Sequence, residues 1–190
     1  GRLDRGSRDG KAPGGYNCPL YETGPPFIFM NAVGTTSDVI TMVHEGGHAV
    51  HSFLTHPLPI TGFKNFPSEV AELASMSMEL LTMEHWHLIY TDPEELRRAK
   101  RDQLERVLSI LPLVATVDAF QHAIYTHPEW TIKERSKAWV EIHQRFGGDV
   151  VDWSGLDKVR ATLWHKQLHI FEGPFYYIEY AIAQLGAIGV

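Results

Sequence analysis

The sequence contains a single cysteine, Cys18, among its 190 residues. A lone cysteine excludes a disulfide framework and a metal site built from thiolates. Basic residues are also few, because 17 Lys and Arg stand against 23 Asp and Glu and give a formal net charge of −6. Nucleic acids and anionic membranes bind basic surfaces, so we expect neither as the main partner. No apolar run approaches the ~20 residues of a membrane span, and no signal peptide opens the chain, which predicts a cytoplasmic protein.

The sequence is rich in histidine and in acidic residues. Eleven histidines accompany the 23 acidic residues, so a bound metal ion would have to be held by imidazole and carboxylate ligands. The hydrophobic fraction of 44% and the charged fraction of 21% are ordinary for a globular protein. Length and composition together predict one domain over residues 1–190 with a single sizeable core.

Hydrophobic periodicity and capping signals predict a mostly α fold. Residues 1–26 are rich in Gly, Pro and charge, which is typical of a loop, and the aromatic run FIFMNAV at 27–33 predicts a strand. A helix should follow this strand, capped by Ser37 or Asp38. Further helices are predicted over about 69–87, 93–111, 131–148, 155–168 and 174–187, with Pro112 breaking or kinking the second of them.

The stretch TMVHEGGHAVHS, at 41–52, carries the strongest chemical signal. On a helix, His44 and His48 lie one turn apart on one face, so both imidazoles can reach one metal ion. Glu45 lies beside them and can hold a water molecule at the metal without being a ligand, as in the H-E-x-x-H motif of zinc peptidases. His51 is one turn beyond His48, too far along the helix to be a ligand, and would support the site or the fold. A chance match has odds of roughly one in twenty on composition, so an ordinary histidine-rich helix is the alternative.

A second predicted helix offers a third ligand. A catalytic zinc ion needs three protein ligands and an open position for water. In the segment PSEVAELASMSMELL, helical spacing places Glu72, Ser75 and Glu79 on one face, with Glu69 close to that face. A single glutamate is more often a solvated acid than a ligand, but acids set among Met, Ala and Leu need a cation when they are buried. From the residues alone, both Glu69 and Glu72 stay open as the third ligand.

Four segments of the chain resemble the M3 family of zinc metallopeptidases, the family of oligoendopeptidase F and the PZ-peptidases. They are GKAPGGYN at 10–17, FIFMNAVGTTSDVITMVHEGGHAVHS at 27–52, PSEVAELASMSMEL at 67–80 and HIFEGPFYYIEYAIAQLGA at 169–187. The resemblance covers essentially the whole chain. It implies a gluzincin-type helical catalytic core, with FIFMNAV as an edge strand to which an extended peptide pairs.

The resemblance also implies roles for the residues of the two helices. In this family the third zinc ligand is a glutamate followed by serine three residues later and by glutamate seven residues later. That pattern selects Glu72, so one zinc ion per chain would be held by His44, His48 and Glu72. Glu79 would orient a zinc-bound histidine, and Glu45 would be the general base that takes a proton from water and passes it to the leaving amine.

The segment HIFEGPFYYIEYA holds the remaining candidates. A stretch so rich in Tyr and Phe is usually part of a core. The family, however, places a histidine and a tyrosine around a glycine-containing loop as donors to the oxyanion of the tetrahedral intermediate. His169 and Tyr176 match those positions, Tyr180 would line the substrate pocket, and Tyr177 is the alternative to Tyr176 if the register is one residue later.

The function implied is that of a zinc-dependent endopeptidase for short unfolded peptides. Members of the family are considerably longer, so we expect this chain to be the catalytic part of a larger enzyme whose N-terminal half is a partner. A dipeptidyl carboxypeptidase is the alternative within the enzyme class, and a zinc-binding module without turnover is the alternative outside it. Retention of Glu45 argues against the module, because a purely structural zinc site has no use for that acid. A metal-free helical scaffold would show no change in stability on chelation.

Overall fold

A computed structural model describes residues 2–148 and 150–190. The chain divides into two compact units, one formed by Gly1–Leu104 with Ile182–Val190 and the other by Glu105–Ala181. One domain over residues 1–190 stays a prediction, because compact units are not by themselves folding domains. The elements in chain order are strands β1 (Leu3–Gly6), β2 (Tyr16–Cys18) and β3 (Phe27–Ala32), then helices α1 (Thr36–Thr55), α2 (Ser68–Leu81), α3 (Pro93–Thr126), α4 (Ile132–Gly147), α5 (Asp157–Thr162), α6 (His169–Glu172) and α7 (Ile178–Ile188).

The three strands form one small sheet in the order β1-β3-β2. Strand β1 pairs with β3 in parallel, and β2 pairs with β3 in antiparallel orientation. The predicted strand is confirmed as β3, but the prediction that residues 1–26 are all loop is wrong, because two short strands form there once β3 offers them a partner. The prediction that β3 is an edge strand is also wrong. It is the central strand, and within the described residues the edges of the sheet are β1 and β2.

The start of helix α1 is fixed by hydrogen bonds between the preceding turn and the first turn of the helix. Thr35, and not Ser37 or Asp38, is the N-cap residue. Asp38 lies three residues after this N-cap and forms a capping box with it. The Oδ2 atom of Asp38 accepts hydrogen bonds from the backbone N–H groups of Val33, Gly34 and Thr35 at 2.9, 2.6 and 2.7 Å. These bonds lower the pKa of Asp38 and fix the direction in which the chain leaves β3 for the helix that carries the H-E-x-x-H motif.

A glycine allows α1 and α2 to approach each other closely. A Cβ atom on Gly47 would lie 2.7 Å from the Cα of Ser75, 3.0 Å from the carbonyl oxygen of Ala74 and 3.1 Å from the Cβ of Met78. Two of these three atoms belong to the α2 backbone and cannot move aside without shifting the helix. For the neighbouring Gly46, no atom of the described residues outside the backbone of its own helix lies within 4 Å of such a Cβ. The spacing of the two helices is therefore set by the absence of a side chain at Gly47.

Gly47→Ala should destabilise the protein, whereas Gly46→Ala should not. Alanine in a helix is favoured over glycine by ~1 kcal/mol at both positions, but at Gly47 the added methyl group must push α2 away, at a typical overpacking cost of ~1–3 kcal/mol. We therefore expect a lower melting temperature for Gly47→Ala and an equal or higher one for Gly46→Ala, measured by thermal unfolding with circular dichroism. Equal behaviour of the two variants would show that the contact does not limit the packing.

Helix α3 continues through Pro112, so the predicted break at this proline does not occur. The helix starts where the Asp92 carboxylate accepts bonds from the backbone N–H groups of Glu94 and Glu95, as the capping signal predicted. Contrary to the sequence-based expectation, it is long and apolar enough to cross a membrane by length and composition alone, a test that core helices of soluble proteins also pass. In the second unit, its fully buried residues Val114, Val117 and Phe120 pack in a cluster with Trp139, Trp164, Ile170 and Tyr177.

The end of the chain departs from the predicted helix over 174–187. A short helix, α6, comes first, and α7 begins only at Ile178. Between them Phe175 has a φ of 58°, the only positive φ of a non-glycine residue among those described. Its ring packs against the rings of His122 and Tyr125, at centroid distances of 4.7 and 5.2 Å. Such a conformation costs ~1–2 kcal/mol for a residue with a Cβ atom, so these contacts help to hold the turn in place.

Candidate metal centre

Helices α1 and α2 bring three potential metal ligands together. The ligand atoms of His44, His48 and Glu72 all lie within 4.8 Å of one another. The Oε2 atom of Glu72 is 3.2 Å from Nε2 of His44 and 3.7 Å from Nε2 of His48. Zinc–ligand bonds of ~2.0–2.2 Å in a tetrahedral arrangement place ligand atoms ~3.3–3.6 Å apart, so the group has the spacing of a zinc site.

The hydrogen bond made by the other nitrogen of His44 explains why this group needs a cation. Nδ1 of His44 lies 2.7 Å from Oε1 of Glu79, an acceptor, so Nδ1 carries the proton. The Nε2 lone pair would then face the Glu72 carboxylate, and two acceptors at 3.2 Å repel unless a positive charge stands between them. Without a metal ion that charge is a proton: burial lowers the pKa of His44, but bonds to Glu72 and Glu79 outweigh it and raise the pKa to about 10. A metal ion could supply the same positive charge in place of the proton.

His48 is held in the form that binds metal. Burial lowers its pKa to about 4, so its imidazole is neutral at physiological pH. The rings of His44 and His48 lie edge to face with their centroids 5.0 Å apart, as expected for residues one helical turn from each other. On the other helix, the Ser75 hydroxyl lies within hydrogen-bond distance of the Glu72 carbonyl oxygen and of its Oε2, at 3.0 and 3.3 Å. Serine at this position therefore helps to direct the Glu72 carboxylate.

Glu45 is a buried acid with an unsatisfied oxygen. Its side chain is 5% exposed, and its Oε2 atom has no hydrogen-bond partner among the described residues. Burial raises the pKa of Glu45 to about 7, with the nearby His44 acting to lower it and Glu72 and Glu79 to raise it. A carboxyl group with a pKa near neutrality can both accept and release a proton under physiological conditions.

The glycine-rich loop between β1 and β2 reaches Glu45. A Cβ atom on Gly15 would lie 3.3 Å from Oε1 of Glu45, so the loop backbone runs against this carboxylate. Asn31 of β3 fixes the loop by donating to the carbonyl oxygens of Ala12 and Gly14 at 2.8 and 2.9 Å. Lys11 belongs to the same loop, and its side chain is 1% exposed. Its Nζ atom donates to the carbonyl oxygens of Gly6 in β1 and Met30 in β3. The segment GKAPGGYN, one of the four on which the family resemblance rests, thus lies against a candidate site residue.

The second unit contains the other predicted group. The ring of His169 is stacked on that of Tyr176 with centroids 5.9 Å apart, and its Nε2 lies 3.3 Å from the Tyr180 hydroxyl. Tyr177, the alternative to Tyr176, is 7% exposed and belongs to the hydrophobic core of the unit. Gln121 supports the loop by donating to the carbonyl oxygens of residues 169 and 173, at 3.4 and 3.2 Å. His169, Tyr176 and Tyr180 thus form one aromatic group within this unit.

Comparison with known proteins decides the family. A sequence model of peptidase family M3 matches residues 1–189. The chain belongs to peptidase family M3. The predicted family and the mostly α fold are both confirmed.

Relatives of this M3 chain include named oligopeptidases. It is 26% identical over 176 residues to oligopeptidase PepF of Bacillus subtilis (strain 168), a match that covers 90% of the chain and 26% of the relative. It is 23% identical over 196 residues to an oligoendopeptidase F homolog of Borreliella burgdorferi, covering 99% of the chain and 32% of the relative. Among solved structures, PZ peptidase A with inhibitor 2 is similar at a TM-score of 0.93 and 34% identity, over 98% of this chain and 33% of that one. The matches therefore span about a quarter to a third of the length of these proteins.

Two further residues of the M3 chain lie near the candidate ligands, and only the first was predicted from the sequence. His51 stacks on Phe66 with centroids 3.8 Å apart and is not in the group of potential ligands, which fits the supporting role predicted for it. Gln103 of α3 was not predicted as part of the site, yet its Nε2 atom donates to Oε2 of Glu79 at 2.7 Å. The signal was present in the sequence, because Gln103 is a polar residue on the otherwise apolar face of a helix.

Proposed function

We propose that this chain carries the catalytic centre of a zinc-dependent oligoendopeptidase, with one zinc ion held by His44, His48 and Glu72. The observation that carries the proposal is the combination of this ligand group with the buried Glu45 carboxyl, whose Oε2 has no partner among the described residues. A structural zinc site has four protein ligands and no use for such an acid, whereas a hydrolytic site has three and needs a base. The names of the relatives support the same conclusion.

The protein's own residues would divide the work of hydrolysis between them. Zinc, when bound, supplies Lewis acidity that polarises a carbonyl oxygen and makes water more acidic. Glu45 would accept a proton from water as its oxygen attacks the carbonyl carbon, and would return that proton to the leaving nitrogen as the C–N bond breaks. Glu79 would hold the proton on Nδ1 of His44 and keep the ligand nitrogen Nε2 directed to the metal.

Tyr176 is our proposed donor to the oxyanion, together with His169. Tyr176 is partly exposed, whereas the alternative Tyr177 lies in the core, where burial raises its pKa and withdraws it from substrate. Tyr180 contacts Nε2 of His169 through its hydroxyl and would act on substrate only as a pocket wall.

Tyr176→Phe should lower kcat by ~10²–10³ at nearly constant KM, as the loss of one oxyanion donor typically does. The change keeps the ring, so packing and zinc binding should hardly change. Tyr177→Phe and Tyr180→Phe are the matched controls, and both should have much smaller effects in steady-state assays of the full-length protein on one short peptide. A large effect of Tyr180→Phe with a small effect of Tyr176→Phe would reverse the assignment, and no effect of either would make these tyrosines core residues.

We propose short unfolded peptides as substrates and the remaining two-thirds of an M3 protein as the partner of this chain. Support comes from large apolar side chains of the first unit that are more than half exposed: Phe53 at 54%, Leu54 at 74% and Phe63 at 66%. Exposed apolar groups of this size favour association. The chain alone should therefore self-associate in analytical sedimentation, and a stable monomer with full activity would contradict the proposed partner.

Cleavage mapping with and without zinc tests the proposed function. The full-length protein would be freed of metal with a chelator, reloaded with zinc and given short peptides with either free or amidated C-termini, with products identified by mass spectrometry. An endopeptidase should cut both sets at internal bonds, and only after reloading. Release of dipeptides from free C-termini alone would identify a dipeptidyl carboxypeptidase, and zinc binding without any cleavage would identify a binding module.

A further inference from the structure

Gln103 is a buried amide on the apolar face of α3. It is 1% exposed, as is Ala99 one turn before it, and Val107 one turn after it is 8% exposed. Burying an amide costs free energy unless its polar atoms are bonded, so a glutamine in this row needs a specific partner. For the NH₂ group that partner is Glu79, whose Oε2 atom accepts a hydrogen bond from Nε2 of Gln103 at 2.7 Å, while Oε1 of Gln103 has no hydrogen-bond partner among the described residues.

With the bond from Gln103, both oxygens of the Glu79 carboxylate accept a hydrogen bond. Oε1 of Glu79 is bound by Nδ1 of His44 and Oε2 by Nε2 of Gln103, both at 2.7 Å. With a donor on each oxygen, the carboxylate cannot rotate without losing one of two short bonds. Because the partner is a carboxylate, only the NH₂ group of Gln103 can face it, and this fixes the orientation of the amide. The three side chains form a continuous row, Gln103–Glu79–His44, that ends at the candidate metal.

We propose that Gln103 is a positioning residue of the metal centre: by holding Glu79 it fixes the tautomer and the direction of His44, and so strengthens metal binding. The inference rests on the proposed zinc site. It concerns a residue that touches neither metal nor substrate, on a helix that carries none of the three ligands. Groups that orient metal ligands typically contribute 10–100-fold to metal affinity, and Gln103 acts one step further out.

Gln103→Met tests the proposal, with Gln184→Met as its matched control. Methionine keeps the length of the side chain and removes the donor. Gln184 is also a buried glutamine of the first unit, 4% exposed, but its Nε2 has no hydrogen-bond partner among the described residues. Zinc affinity of the full-length protein would be measured by competition with a chromophoric chelator. We expect a loss of ~10-fold for Gln103→Met and a change within ~2-fold for Gln184→Met.

Gln103→Glu should make the zinc affinity depend on pH in a way that a purely structural role of Gln103 would not. When protonated, the new carboxyl can donate to Glu79 as the amide does, and when ionised it repels Glu79 instead. The zinc affinity of the Gln103→Glu variant is compared with that of the wild type at each pH, because the ratio removes the pH dependence common to both proteins. This ratio should be lowest at pH 8 and should rise towards pH 6. A ratio that is constant over this range would overturn the proposal, as would equal affinities for Gln103→Met and Gln184→Met.

The outcomes separate this inference from the proposed function. If the wild-type full-length protein does not bind zinc, the proposed metal site fails. If it binds zinc and the Gln103 variants bind zinc equally well at every pH, only the positioning role fails. If Gln103→Met does not fold, the pH dependence of Gln103→Glu decides alone.

Discussion

Replacing Glu45 by glutamine should remove most of the peptidase activity and leave zinc binding nearly unchanged. The amide has the size of the carboxyl group but cannot accept a proton from water, so kcat should fall by the ~10²–10⁴ that general base catalysis typically contributes. Zinc content is expected to stay the same because Glu45 is not in the group of His44, His48 and Glu72. The measurement is kcat and metal content of the full-length protein, with Glu69→Gln, a change of an acid outside the group, as control.

The same substitution should change how the stability of the metal-free chain depends on pH. Burial raises the pKa of Glu45 from 4.5 to about 7, so the folded state binds a proton that the unfolded state has released. The contribution of Glu45 to the free energy of unfolding should therefore fall as the pH rises from about 4.5 to about 7, and Glu45→Gln should remove this contribution. Chemical denaturation at a series of pH values in the presence of a chelator would show this. If the Glu45→Gln variant keeps a kcat within a few-fold of the wild type, Glu45 is not the general base, independently of the stability measurement.

Glu72→Ala should abolish stable zinc binding. The change removes one of the three proposed ligands. Its Oε2 atom lies 3.2 Å from Nε2 of His44 and 3.7 Å from Nε2 of His48. Removing a group that merely orients a ligand costs 10–100-fold in affinity, so loss of a ligand itself should cost more than ~100-fold. Equilibrium dialysis against buffered zinc, followed by metal analysis, measures this directly.

Glu69→Ala is the control for that prediction. Glu69 is on the same helix and was the other candidate for the third ligand, but it is not in the group that the structure brings together. Its variant should keep full occupancy. Full occupancy of Glu72→Ala would overturn the ligand assignment, and loss of zinc from Glu69→Ala alone would transfer the role to that residue.

The parts of the site that lie within one helix could be predicted from the sequence. The spacing of His44 and His48, and of Glu72 and Glu79, follows from 3.6 residues per turn, and each helix forms with those residues on one face. The capping signals at Asp92 and at Thr131 were equally local and correctly mark the starts of α3 and α4. Local rules succeed here because the interactions that decide the structure join residues three or four apart.

The parts that depend on distant partners could not be predicted. Strand β2 has three residues and forms only because β3 pairs with it, which no pattern within residues 1–26 indicates. Pro112 should have interrupted α3, but packing of the helix in the core of the second unit outweighs the local preference. The bond of Gln103 to Glu79 joins residues 24 positions apart on two helices, so the sequence shows only that Gln103 needs some partner.

The close contact at Gly47 bears on how related sequences should be recognised. The H-E-x-x-H motif leaves two positions open, but in this chain they are not equivalent: Gly46 faces space, while the position before the second histidine admits no side chain. With 16 glycines in 190 residues, fixing that position as glycine would reduce chance matches about twelvefold. A pattern written H-E-x-G-H would thus select sequences by the packing of these two helices as well as by their chemistry. In a homologue with a larger residue at this position, the helix that corresponds to α2 should lie farther from the motif.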